Sequence, residues 1–489
     1  MRLSTRAAAL ACAALGLYEA QASAAAPAQE GAAAPSAPLA EEPLALETVL
    51  AASARHFPRV LESYAEREVA LGRATSAEGA FDLVLSANGR ARASGFWSGR
   101  YAETEVSKPI GPFGAEVYGS YRVADGRFPI YEDEYFTNRL GEFKVGAVLS
   151  LLRDREIDER RFGRQDAALA VRNADFELLL AQLGVQHQAS IAYHRWVFAG
   201  LQLQVYRDLL AIARERQTRL AQQVARGARA EIVLTENQQN LLRREVLVAE
   251  AERTLDAAAT VLALYLRTPD GAPSLPDPQS RPQRAPPRDP AAVAEAILQS
   301  QEALGDRPEL AVLRTEIVRA ENRIELGRNE LKPKLDFSYE IARDQGGVQE
   351  GGPSRSGLDN IVGFRFSTPL ERNFAKGKIQ EAQARRKALE FRLQRQSEQI
   401  GAEIEQIRIE LVAADRLVML AEQEVVQAQT MQAAETRLFE GGASDFFLLN
   451  QREERTADAR IRALQSQLRR HVALTDLYAA TVNLKPLGL

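Results

Sequence analysis

Two spacings of apolar residues divide this chain into regions of different shape. In the first, apolar positions advance by three and four through Phe176, Leu180, Leu183, Ile191, Phe198, Leu201, Val205, Leu209 and Ile212, with His187 and His194 on the same stripe. Ile400, Ile404, Ile407, Leu411, Ala414 and Leu417 repeat the pattern later. So narrow a stripe, flanked by Arg, Glu and Gln, is the seam of helices that pack on one another as coiled coils do. It predicts long helices over 155–226 and 372–440, each about 105 Å long at 1.5 Å per residue. Few globular cores are that deep. The second spacing is strict alternation, the mark of a strand with one apolar face. Phe81 to Asn88 and Glu142 to Leu151 alternate in this way. Leu335, Phe337, Tyr339 and Ile341 alternate with Lys334, Asp336, Ser338 and Glu340, and Val362, Phe364 and Phe366 with Gly363, Arg365 and Ser367. Strands are expected near 81–95, 141–152, 334–343 and 359–370.

These patterns run in the same order twice. Phe439-Glu440-Gly441-Gly442-Ala443-Ser444-Asp445 sits about 215 residues beyond Val224-Ala225-Arg226-Gly227-Ala228-Arg229-Ala230, and each closes a long helical pattern. Gly227 and Gly442 fit helix C-caps, where glycine tolerates positive φ. Each marks a reversal into a shorter helix, over 231–266 and 445–482. A solenoid unit is usually about 20 to 50 residues, so a period this long reads as an internal duplication of a half-molecule. The halves are 44–268 and 291–484, and each runs helix, two strands, long helix, returning helix. A proline-rich linker, 269–290, joins them. Phe57-Pro58 interrupts the first opening helix, and Arg307-Pro308-Glu309-Leu310 opens the second half.

Composition then narrows the setting. Arg2 and Arg6 precede the apolar run Ala7 to Leu17, and Ala22-Ser23-Ala24 follows as an A-x-A cleavage pattern. Residues 1–24 read as a secretory signal and 25–43, rich in Ala and Pro, as a disordered leader. The single cysteine, Cys12, falls in that signal, so no disulfide and no cysteine-based metal site is expected in the mature chain. Ala9-Leu10-Ala11 does not place leucine where a lipobox would, and lipidation is not expected. No other apolar run approaches the roughly 18 residues of a spanning helix, which leaves β-strands as a way across a membrane. A net charge of −4 argues against a nucleic-acid partner. His56, His187, His194 and His471 are scattered, none beside a metal-like neighbour, and no phosphate-binding glycine loop or nucleophile motif occurs. No metal, cofactor or catalytic residue is expected.

Four strands cannot close a bacterial barrel, which needs an even number of at least about eight. The chain must oligomerise, and three copies would give twelve strands leading into a helical tunnel. That is the plan of the TolC-like outer membrane efflux proteins, and individual motifs resemble that family. Arg307-Pro308-Glu309-Leu310 resembles its repeat-opening N-P-x-L, and Lys332-Pro333-Lys334-Leu335 the L-P-x-L that begins a strand. Ser367-Thr368-Pro369-Leu370 is similar to the S-x-P-L that leaves the barrel for the helix, and Phe439 to Leu449 to the F-x-x-G reversal. The resemblance extends over nearly the whole mature chain and implies a mixed α+β membrane protein. Its homotrimer would form an outer-membrane β-barrel, four strands per chain, continuing into a periplasmic α-helical barrel. The implied partners are further copies of the chain, outer-membrane lipid, a periplasmic adaptor and an inner-membrane pump that supplies the energy. The reversals would form the tip that meets the adaptor and narrows the entrance, through Arg226, Gly227, Arg229 and Glu231 in the first half and Gly441, Gly442, Ser444 and Asp445 in the second. Ser444 or Asp445 also suits a plain helix N-cap.

Three departures stand out. Ala230 replaces Asp445 at the first reversal, so an acidic ring there would depend on Glu231. Ser150-Leu151-Leu152 lacks the proline of its counterpart. The first half also carries about 33 extra residues before Val145, in which Thr104 to Pro109 and Glu116 to Tyr121 look like strand material, either an external hairpin or a lengthened barrel strand. Phe96, Trp97, Tyr101, Tyr131, Tyr135 and Phe136 there suit an interfacial girdle or the packing of a long loop. The expected function is export of small molecules through an outer-membrane duct. A type I protein-secretion duct on the same scaffold, or a soluble periplasmic coiled-coil adaptor, are the alternatives.

Overall fold

The computed structural model describes residues 43–129, 131, 135–286, 289–300, 307–349 and 355–489. The expected signal, and the expected leader apart from Pro43, lie outside the described residues. Helix α1, Leu46–His56, stops because Phe57 precedes a proline and is extended (φ −74°, ψ 127°), and α2, Pro58–Glu78, starts with that proline at its first position. Four strands follow: β1 Val84–Ala91, β2 Arg100–Ile110, β3 Ala115–Asp125 and β4 Glu142–Ser150. Helix α3, Glu159–Ala225, begins where the Asp158 carboxylate accepts a hydrogen bond from the Arg161 N–H (2.8 Å). It reverses into α4, Glu231–Ala263. The later part of the chain runs α5 Pro290–Ser300, α6 Pro308–Glu330, β5 Lys334–Asp344, β6 Asp359–Ser367, α7 Asn373–Glu440 and α8 Phe446–Ala480. At 1.5 Å per residue α3 and α7 are each about 100 Å long.

The seams bury as pairs of rods. Val49, Leu50, Trp196, Val197 and Leu262 close α1 and α4 on α3, and Leu310, Ile400, Leu411 and Leu477 close α6 and α8 on α7. Val205 and Leu209 of α3 meet Ala457 and Ile461 of α8, which joins the two helical hairpins. No described helix is long and apolar enough to cross a membrane.

The six strands among the described residues form a single antiparallel sheet in chain order, β1 to β6. The clear alternation had given four strands per chain. The structure corrects this: the extra segment supplies β2 and β3, hydrogen-bonded between β1 and β4. Their alternation is interrupted by small and charged residues such as Lys108 and Gly119, which weakens the period in the sequence.

The register sorts the side chains onto two unlike faces. Leu85 lies opposite Val106, Val117 opposite Ala147, Val145 opposite Ile341, and Phe337 opposite Phe364. This face is apolar and open, with Leu85, Val145 and Phe364 each at least 66% exposed. The other face is polar and crowded. There the Tyr118 hydroxyl donates to Glu340 (2.5 Å), Arg122 pairs with Glu142 (2.5 Å) and the Ser150 hydroxyl donates to Asp336 (3.1 Å). A water-soluble sheet does the reverse. At the start of β2, Tyr101 stacks on Tyr135 of the β3–β4 connection (4.6 Å) and Phe136 is buried, so these aromatics pack that connection, whereas Phe96 and Tyr131 are over 80% exposed.

Candidate functional site

The far ends of the helical hairpins hold the residues singled out in the sequence. At the first reversal α3 ends on Arg226, whose N–H donates to the Gln222 carbonyl (3.2 Å). Gly227 follows at φ 71° and the Ala228 N–H donates to Gln223 (2.8 Å). At the second, Gly441 donates to Arg437 (3.0 Å), Gly442 sits at φ 75° and Ala443 donates to Leu438 (2.8 Å). Both are closures in which a left-handed glycine lets the chain fold back onto the last free carbonyls. Arg226, Glu231, Gly227, Gly441, Gly442 and Asp445 are exposed.

The returning helices start differently. The Asp445 carboxylate accepts from the Leu448 N–H (2.7 Å) and caps α8, while Ala230 at the same place before α4 offers no side-chain acceptor. Ser444 does not cap. Its hydroxyl donates to Glu435, which also lies 3.7 Å from Arg452. Among the described residues no ion pair joins Arg226 or Arg229 to Glu231 or Asp445 within the chain. Arg229 instead lies over the Phe439 ring (5.1 Å), tying the first reversal to the end of α7. Phe439 neighbours Phe446 (6.4 Å), and Arg216 of α3 lies over Phe446 (5.6 Å). Two guanidinium groups and two phenyl rings thus link the hairpins near their tips.

Behind this link is a buried charge cluster that periodicity did not single out. Arg216 donates to Glu453 and, at 2.8 Å, to Asn450. Arg244 of α4 donates to the other Glu453 oxygen (2.9 Å) and to the Leu209 carbonyl (2.8 Å). The side chains of Glu453 and Arg244 are 2% and 1% exposed. Burial pulls the Arg244 guanidinium below its ordinary range, and the Glu453 charge opposes that shift. In the sequence these three residues look like any charges on a helix face. Only the approach of α3, α4 and α8 makes them one group. Three of the four histidines are likewise partnered by tertiary contact. His187 meets Asp476 (2.6 Å) and His194 stacks on His471 (4.7 Å), and among the described residues no group of metal-binding type forms.

Residues 299–482 match the outer membrane efflux protein family. The chain carries an outer membrane efflux protein domain. No curated protein sequence matches the chain. The fold of the described residues is similar to that of outer-membrane channels. It is similar to the outer membrane protein VceC of Vibrio cholerae, at 16% identity and a TM-score of 0.61, covering 89% of this chain and 95% of that one. It is also similar to the open-state MtrE outer membrane channel of Neisseria gonorrhoeae (16%, TM-score 0.60, 89% and 88%). The CmeC outer membrane channel of Campylobacter jejuni is a third (12%, TM-score 0.60, 91% and 89%). The efflux domain takes in β5, β6, α7, the second reversal and all of α8, so Gly441, Gly442, Ser444 and Asp445 lie within it.

Proposed function

We propose that the chain is the outer-membrane exit duct of a tripartite efflux system for small molecules. The observation that carries this reading is a sheet turned inside out, joined directly to helical rods about 100 Å long. A sheet with an apolar exposed face and a polar crowded face has its lower free energy in lipid around a watery lumen. The efflux domain and the fold support an outer-membrane location with a periplasmic extension. Strands β1 and β6 each have an unpaired edge within one chain. Lipid does not tolerate open edges, so β6 of one copy would pair with β1 of the next. Three copies would also bring the helical hairpins together as a tunnel. The exposed reversals would meet a periplasmic adaptor, and an inner-membrane pump would supply the energy.

The test is conductance of purified mature protein in a planar lipid bilayer. Discrete steps from a trimeric species are expected, and a soluble, non-conducting species would overturn the reading. Arg226, Arg229, Glu231 and Asp445 are proposed to ring the tip across the trimer as a gate. Exposed ion pairs contribute only about 0 to 1 kcal/mol each, but a symmetric ring of them biases a two-state opening. Arg229→Ala and Asp445→Ala should therefore raise the open fraction. Unchanged single-channel records from both variants would remove the gate and leave the duct.

A further inference from the structure

We infer that the hairpin β2–β3 is part of the membrane wall, so that three chains close a barrel of eighteen strands instead of twelve. The inference rests on the trimeric duct proposed above. Its first support is position. β2 and β3 lie between β1 and β4, and the sheet has no direct β1–β4 ladder to fall back on. The second is length. Each is 11 residues long, within the roughly 9 to 11 that a tilted strand needs to cross a bilayer.

The faces agree as well. On the open side, Val106 (36% exposed) stands between Leu85 and Gly119, and Val117 (37%) beside Ala147, which continues the apolar surface of β4 to β6. The charges of β2 on that side are Lys108 and Arg100, and Arg100 is the first residue of the strand, paired with Asp125 of β3 (2.6 Å). Lys108 lies two residues from the other strand end, so both long side chains reach an interface. On the polar side Tyr118 reaches across β4 to Glu340 of β5, and Arg122 pairs with Glu142 of β4. The hairpin therefore shares the interior network of the other strands.

The turn gives the direction. It lies at the helical end of the sheet, where Phe113 packs under Arg155 (5.8 Å) and Arg160 pairs with Glu116 (3.2 Å). Gly114, at φ 55°, is pressed so closely on the Asp154 carbonyl that a Cβ would lie 2.3 Å from its oxygen. An external loop would turn at the opposite end. Ala91, Asp125 and Asp344, the strand ends from which the longer connections leave, are all at that opposite end, the arrangement of outer-membrane barrels. With strands about 4.8 Å apart and tilted about 40°, twelve strands set a backbone radius of about 12 Å and eighteen about 18 Å. The wider wall makes the helical tip, not the membrane segment, the part that limits cargo size.

The experiment places a fluorophore on single-cysteine variants of the trimer in liposomes. The chain's own cysteine, Cys12, lies in the segment read as the cleaved signal. Val106→Cys and Val117→Cys should be quenched by brominated lipid to the same degree as Phe337→Cys on β5. Ser107→Cys and Ser120→Cys should respond to aqueous iodide instead. If Phe337→Cys is quenched by lipid while Val106→Cys and Val117→Cys respond only to iodide, the hairpin is not wall and the inference falls, with the duct intact. If none of the three senses lipid, the barrel itself is wrong and the inference falls with it. Electron microscopy of the unmodified trimer in a lipid disc gives a second reading: eighteen strands are expected, and twelve would overturn the inference.

Discussion

Asp445 shows how one carboxylate serves a local need before any functional one. Its hydrogen bond from the Leu448 N–H satisfies a donor at the start of α8, where the helix dipole also favours a negative charge. Asp445→Ala should cost about 1 kcal/mol and Asp445→Asn much less, read as the midpoint of thermal loss of helical circular dichroism. A gating effect that Asn fails to rescue would then belong to the charge and not to the cap. His194 and His471 present a different case. Burial lowers the first to about 4, and burial with repulsion from His194 and Arg470 lowers the second to about 3. Both rings are thus neutral in the fold, while in the unfolded chain they take up protons below about 6.5. The stability they allow is complete above pH 6.5 and is lost as pH falls toward 4, by about 2 kcal/mol per ring at pH 5. Melting curves from pH 7 to pH 4.5 should show the loss, and His194→Phe with His471→Phe should flatten it.

At the scale of elements, the seams decide which helices pair, but their register comes from contact. Ile400, Ile404, Leu411 and Ala414 are buried along α7, and the next buried position is Val418, not the expected Leu417, which is 41% exposed. The stripe advances by four at that step because 3.6 residues per turn drifts against a fixed pattern of threes and fours. Between hairpins an ionic joint stands beside the apolar contact of α3 with α8. Glu453 neutralises one of the two buried guanidinium groups it contacts, and its loss leaves both uncompensated. Glu453→Gln should cost about 3 to 5 kcal/mol, visible as a lower midpoint in denaturant, whereas Arg460→Ala, which loses only a half-exposed pair with Asp208 of α3, should cost little. If Glu453→Gln is neutral, the cluster does not hold α3, α4 and α8 together.

For the whole molecule the decisive property is the inversion of the sheet. Val145 and Phe364 are exposed because the surface they form has no protein partner within the chain, while Arg122 and Glu142 are buried on the opposite side. A charge added to the apolar face must enter lipid, at about 2 to 4 kcal/mol near the bilayer midplane. Val145→Arg should therefore reduce the fraction of chain recovered as trimer in outer-membrane extracts. Arg365→Ala, on the polar side of β6, should leave that fraction unchanged. Equal recovery of both variants would argue that the face does not meet lipid.

The sequence by itself determined the element types and the chemistry of each face, because helix and strand periods depend only on which residues lie three, four or two apart. The glycine reversals were legible for the same reason, since positive φ is a local demand that glycine meets at Gly227 and Gly442. Tertiary structure decided what depends on residues far apart in the chain. It placed β2 and β3 inside the sheet, where Lys108 and Gly119 had obscured the period, and it fixed their register through backbone hydrogen bonds to β1 and β4. It also brought Arg216, Arg244 and Glu453 into one buried cluster and Arg229 over Phe439. A charge carries no mark of its future partner, so pairings across hundreds of residues exist only once the helices have packed.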